Sequence, residues 1–106
     1  MFRCHCRDCQ QLTGAGHSSM IPLVKESFTL SDACTIFEMT GRSGGATYSG
    51  FCPNCGSQLM RRSDKMRDLV YVHAASLDDP TAYRREATYH ADAAQAWDPA
   101  FERSKT

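Results

Sequence analysis

The sequence predicts a mainly antiparallel β domain stapled by a metal ion, and three observations carry that prediction. Short runs rich in β-branched and aromatic residues recur along the chain, separated by Gly, Asp and Pro turns. Three cysteines crowd "CHCRDCQQLTG" (4–14), and two more stand in "FCPNCGSQL" (51–59). The 106 residues form one domain, 1–106, and a sheet that small gains from a metal staple.

The elements follow in order. Residues 1–11 are polar and cysteine-rich and read as loop. "HSSMIPLV" (17–24) reads as a strand, with Pro22 favouring a sheet edge because it has no N–H to give a ladder. "ESFTLSD" (26–32) reads as a turn and a short strand. "CTIFEMT" (34–40) is a strand by its β-branched and aromatic content. "GRSGG" (41–45) is a turn, and "ATYSGF" (46–51) runs into the second cysteine pair. "SQLMRR" (57–62) and "DLVYVHAAS" (68–76) are further strands, with "DDP" (78–80) a turn after them. "TAYRREATYHADAAQAW" (81–97) leaves two choices: Ala and Glu favour helix, while "ATYHA" fits a strand. The tail after Trp97 is polar and expected to fray.

Composition excludes several functions. Twelve basic and twelve acidic side chains cancel, which argues against a nucleic-acid surface. Arg61 and Arg62 read as a solvated face. The longest apolar stretch, "LVYVHAA" from Leu69, falls far short of the ~20 residues a membrane span needs. No apolar signal-peptide core is seen, so the cytoplasm is the expected compartment. Thiols stay reduced there, and clustered cysteines read as metal ligands or nucleophiles. Phosphate loops, H-E-x-x-H and Ser-centred nucleophile elbows are missing from the sequence.

"CPNCG" is the more specific cysteine motif. Cys52 and Cys55 at i and i+3 can place both sulfurs on one zinc ion. Pro53 presets the turn, Gly56 lets the backbone leave with φ above zero, and turn amides can face the thiolates. Cys4, Cys6 and Cys9 combine C-x-C with C-x-x-C. Along an extended segment Cys4 and Cys6 share a side, and Cys9 can turn back toward them. Three thiolates leave zinc an open fourth position, the mark of catalytic sites. Spacing alone also permits a closed ribbon of Cys6, Cys9, Cys52 and Cys55. Its interval, residues 10–51, exceeds the usual ~15–20.

The remaining candidates are weaker. Cys34, alone at a strand start, reads as a packed apolar residue. His73 reads as a satisfied core histidine. His5 lies inside the cluster but is expected to point opposite to Cys4 and Cys6. His90 can line a pocket with Tyr89 and Trp97, though packing is the favoured reading of both aromatics. His5, His17 and His90 are bases by type only.

"CHCRDCQQLTG", "FCPNCGSQL" and "SLDDP", followed by "YHADAAQAW", resemble in order and spacing the glutathione-dependent formaldehyde-activating enzyme family, which also includes centromere protein V. The resemblance runs from Cys4 to Trp97. It implies a β-tent of small twisted antiparallel sheets. It also implies that Cys4, Cys6 and Cys9 bind the zinc near a thiol substrate, and that Cys52 and Cys55 supply half of a structural tetrathiolate site. The other half, a C-x-C on an N-terminal hairpin upstream of the trio, has no counterpart in these residues. Either the chain is shortened at its start, or its ligands rearrange into the ribbon. Both cases predict one zinc per chain rather than two, and an exposed sheet edge open to homodimer pairing.

The resemblance implies a carbon–sulfur lyase that joins glutathione to formaldehyde as S-hydroxymethylglutathione, with another small thiol or aldehyde as its wider substrate class. A non-catalytic zinc-stapled β module that binds a protein or small ligand is the alternative. A disulfide redox protein is a third reading, weakened by the lack of a βαβ pattern.

Overall fold

The computed structural model describes residues 1–29, 34–41 and 44–101. Seven strands form one mixed sheet: β1 (Phe2–Cys4), β2 (Ser18–Val24), β3 (Thr35–Thr40), β4 (Ala46–Phe51), β5 (Gln58–Ser63), β6 (Leu69–His73) and β7 (Ala87–Tyr89). Their spatial order is β3-β4-β5-β6-β2-β1-β7, which confirms the expected mainly β fold. Every neighbouring pair is antiparallel except β1 with β7.

Three expectations are corrected and one open choice is decided. Residues 1–11 are not loop: they hold β1 and the start of the helix α1 (Arg7–Thr13). Cysteine hides this helix from sequence reading, because the thiol of Cys6 is its cap. Cys6 Sγ accepts the Cys9 N–H at 3.4 Å, as a Ser or Asp oxygen ordinarily would. Gly14, at φ 70°, closes the other end by donating its N–H to the Gln10 carbonyl. Second, Pro22 lies in an interior strand, since β2 pairs with both β1 and β6. It is tolerated there because β1 reaches no further than Met20 and leaves β2 locally open beside Pro22. Third, of the two choices open for 81–97 the strand holds: the segment forms β7, inside "ATYHA", and short turns. The free side of β1 takes it up in register, Phe2 with Ala87 and Cys4 with Tyr89. Fourth, the start of the tail is packed rather than frayed: Ala100 is buried and its carbonyl accepts an Arg3 N–H.

The other elements fall near their expected places, β5 and β6 a residue or more inside or beyond the predicted bounds. In the 41–45 turn, the Gly44 N–H donates to Gly41 O at 2.9 Å; Arg42 and Ser43 lie outside the described residues. The strand expected in 26–32 falls partly on residues 30–33, which also lie outside; Lys25–Ser27 form a single 3₁₀ turn. Residues 102–106 are outside as well. Cys34 packs over Gly50, where an added Cβ would meet its Sγ at 3.3 Å.

Register sorts the side chains onto two faces, since directly paired residues share a side. Met60 pairs with Val72, and both are buried with Val70 in a core joined by Leu23, Phe28, Leu59 and Leu77. The opposite face collects Arg61, Tyr71, Met20 and His73 through the pairs Arg61–Tyr71 and Met20–His73. β1 extends that face: Phe2 pairs with Met20, and Cys4 with Ser18. Each fully buried Val or Met contributes about 1.5–3 kcal/mol. Eight hydrophobic residues are buried among those described, and two of them are the cysteines Cys4 and Cys9. With a core so small, a metal held at those cysteines would add a real share of stability.

The outer strands are β3 and β7, and β3 leaves Ile36 and Phe37 exposed. Among the described residues no helix is long and apolar enough to cross a membrane.

Candidate active site

The alternation of β1 and the first turn of α1 assemble the site. Cys4 ends β1 and Cys6 caps α1, both on the pocket face, and Cys9 comes round one helical turn later. The three Sγ atoms lie within 4.8 Å of one another. Cys4 and Cys9 are buried and Cys6 is half-buried.

Three thiols this close share their protons. Cys6 ionises first: hydrogen bonds from the Cys4 and then the Cys9 thiol hold its pKa far below the ordinary thiol value, against burial. Cys4 moves far upward, because its proton serves Cys6 and Cys9 and because it is buried. For Cys9 the bond from Cys4 favours the thiolate, but Cys6 and burial outweigh it, and the pKa rises. A protein-only trio therefore carries about one negative charge, since burial and mutual repulsion keep the others protonated. A bound cation removes that obstacle. Three soft, convergent thiols form a donor set that fits zinc.

Arg61 adds a fixed positive charge. Its Nη1 donates to Cys9 Sγ at 3.2 Å. The expectation of a solvated Arg61–Arg62 face fails for Arg61, because the β5–β6 register turns it inward beside Tyr71. Arg62 stays outside, with its guanidinium 4.8 Å from the Tyr48 ring centroid.

The trio opens into a cavity of about 490 Å³, a size that suits a small organic molecule. Phe2, Met20, Leu69 and Tyr71 make its apolar wall, with Arg61, Arg62, Tyr89 and His90 around it. Phe2 packs edge-on against Tyr71 at 5.5 Å and tilted against Tyr89 at 4.8 Å. Burial, then Tyr89, raises the Tyr71 pKa and keeps that phenol neutral. His90 has φ 56°, a left-handed backbone uncommon for a residue with a Cβ. Tyr89 and His90 line the cavity as expected; Trp97 does not, and is 71% exposed. His73 is buried beneath Arg61, but its Nε2 lacks a hydrogen-bond partner, so it is not the satisfied core histidine expected. Burial and then Arg61 lower its pKa to about 4.

Cys52 and Cys55 form a separate feature in the turn from β4 to β5. The Cys52 N–H donates to Ser57 O at 2.9 Å, and the Gly56 N–H to Cys52 O at 2.8 Å. Gly56 has the positive φ, 78°, that the motif predicts. Cys55 is exposed, and its Sγ lies 3.1 Å from Ser57 Oγ. That hydroxyl, the Ser57 backbone and Cys52 draw the Cys55 pKa down. Among the described residues, no third His, Cys, Asp or Glu joins this pair, and the ribbon of Cys6, Cys9, Cys52 and Cys55 is not brought together.

His5 does point away from Cys4 and Cys6, as the alternation requires. It joins His17 and Asp98 on the far side of β1. His17 Nδ1 and Asp98 Oδ2 are 2.5 Å apart, and this bond is the main reason the Asp98 carboxyl lies below the ordinary range.

Sequence reading missed Gln10, which ties the site together. Buried in α1, its amide donates to His5 O at 2.7 Å and to Ala93 O at 3.0 Å, while Gln95 donates to its oxygen at 3.0 Å. Its position directly after Cys9 was visible, but its partners lie up to 85 residues away. Asp98 was missed for the same reason.

No curated protein matches the chain. The family model for glutathione-dependent formaldehyde-activating enzyme matches residues 1–93, a span that holds the trio, the knuckle and the whole cavity wall. The chain therefore belongs to the glutathione-dependent formaldehyde-activating enzyme family.

Proposed function

We propose that this cavity catalyses addition of a small thiol, with glutathione the family's own, to a small aldehyde such as formaldehyde. The product is an S-hydroxymethyl thiol, and the reverse reaction is a carbon–sulfur lyase step. The observation that carries this reading is the three-sulfur cluster opening into an apolar cavity beside Arg61.

Cys4, Cys6 and Cys9 would hold Zn²⁺, which when bound offsets thiolate charge and acidifies a neighbouring thiol. The chain's own groups do the rest. Arg61 holds Cys9 in place and adds positive charge where a substrate thiolate forms. Phe2, Met20 and Tyr71 exclude water and keep that thiolate reactive. Arg61 offers a cation to a carboxylate of a peptide thiol. In the addition the substrate sulfur bonds to the carbonyl carbon, the C=O π pair moves to oxygen, and the proton lost by the thiol ends on that oxygen. Nothing is oxidised or reduced. His90, on the cavity wall, is the group assigned to carry the proton.

Three grouped donors rather than four favour this reading over a closed structural module. The test compares hemithioacetal formation with and without protein at matched zinc, across several thiols and aldehydes. Acceleration with at least one pair is expected; none across the panel removes the reading.

A further inference from the structure

The far face of β1 carries a second donor cluster that the thiol chemistry does not use. His5 is fully buried, at 0% exposure. Neither ring nitrogen makes a hydrogen bond of good geometry, although the Gly16 backbone interacts with the ring. Burying an imidazole without well-formed partners costs stability, so its place there calls for a reason. The ring is aimed at two other metal-ligating groups. Ligand atoms of His5, His17 and Asp98 all lie within 4.8 Å of one another, and the two imidazole centroids are 5.1 Å apart. The surroundings are built around this arrangement. A Cβ at Gly16 would overlap the Asp98 side chain, so only glycine allows the carboxylate so close. His17 also lines a cleft of about 380 Å³ with Arg3, Ser19, Tyr83, Arg84 and Arg85, so an ion would approach past arginines.

We propose that His5, His17 and Asp98 form a second metal site, a two-histidine, one-carboxylate centre for a nitrogen-preferring divalent ion such as Zn²⁺, on the opposite side of β1 from the thiols. A hydrogen bond holds His17 Nδ1 and Asp98 Oδ2 at 2.5 Å. Donors on one zinc ion stand roughly 3.3 Å apart, given metal–ligand bonds of about 2.0–2.2 Å. The ion thus replaces the proton and opens the pair by roughly 1 Å. His5 then gains the partner it lacks.

Electrostatics select the type of ion. Arg3 lies nearby, its guanidinium held by the carbonyls of Ala100 and Pro99, and it acts on both His5 and Asp98. A single carboxylate beside that charge gives little attraction for a hard cation. Coordination by two imidazoles must supply the affinity, which favours Zn²⁺, Co²⁺ or Ni²⁺ over Mg²⁺ and Ca²⁺. With the thiol site this makes two ions per chain, one more than the cysteines alone lead one to expect.

The test is a Co²⁺ titration of the full chain followed by absorption, beside His17→Ala and Asp98→Asn. Two binding events are expected in the unaltered protein: one with sulfur-to-cobalt charge-transfer bands, and one with weak visible bands only. Both variants should lose the second event and keep the first, with far-ultraviolet circular dichroism unchanged. Cobalt bound only with charge-transfer bands, or a second event that survives both substitutions, overturns the proposal. Should either variant misfold, ¹⁵N spectra of the unaltered protein decide the matter. Zn²⁺ should shift the ring signals of His5 and His17 while Mg²⁺ does not. Ring signals unmoved by saturating Zn²⁺ overturn it equally.

Discussion

The two cysteine clusters share a C-x-x-C and little else. Cys52 and Cys55 lie on an exposed turn closed by its own backbone bonds, and two sulfurs are all it gathers. Cys6 and Cys9 span the cap of a buried helix, where β1 delivers Cys4 as a third sulfur and β5 delivers Arg61. The same spacing thus yields a local knuckle in one place and a charge-coupled centre in the other. What separates them is burial and a donor brought from a different element. Spacing predicts a turn; topology decides whether that turn becomes a site.

The largest expected effect sets the two against each other directly. Cys9→Ser should weaken zinc binding at the trio by on the order of a hundredfold, because a zinc site worth ~10–16 kcal/mol is divided among few ligands. Aldehyde–thiol addition should fall with it. Cys55→Ser should leave both unchanged. Metal analysis after dialysis, paired with the addition assay, reads the contrast, and equal losses would erase it.

Next comes acid sensitivity, to which the buried His73 contributes. His73 has a folded pKa of about 4 against an ordinary 6.5, so between these values the unfolded chain binds more protons than the folded one. Stability should rise with pH through that window and be lost as pH falls from 6.5 toward 4, by about 3 kcal/mol at most. Denaturant melts across that range measure it, and His73→Leu should flatten the slope.

A smaller effect is expected at Arg61→Met, which removes the charged hydrogen bond to Cys9. Such bonds contribute about 1.5–3 kcal/mol, so a loss of at least about tenfold in the rate of addition is expected, with zinc content retained. An unchanged rate would mean that Arg61 only fills space. The smallest effect lies at the knuckle. Gly56→Ala places a Cβ in open space at φ 78°, so only backbone strain of about 1–2 kcal/mol is added. Thermal melts should register it, and the trio's metal affinity should not change.

The sequence made the local features legible. The knuckle, its glycine and the opposed directions of Cys4 and His5 follow from neighbours within a few residues. The strands of the sheet are readable from composition for the same reason. What stayed hidden depends on contacts far along the chain. Arg61 reaches Cys9 across 52 positions, and Asp98 reaches His17 across 81. α1 was concealed because a cysteine thiol replaces the usual capping oxygen. Pro22 misled because the end of β1, rather than the strand's own sequence, makes an interior position tolerable.

The parallel pairing of β1 with β7 has a consequence for how the protein is made. β1 leaves the ribosome well before β7, Ala87–Tyr89, the strand that flanks it in the finished molecule. A nascent chain that ends before Ala87 holds three neighbouring thiols with one flank bare and Tyr89 and His90 still to come. A metal captured early by the trio would shield those sulfurs from oxidants until β7 arrives.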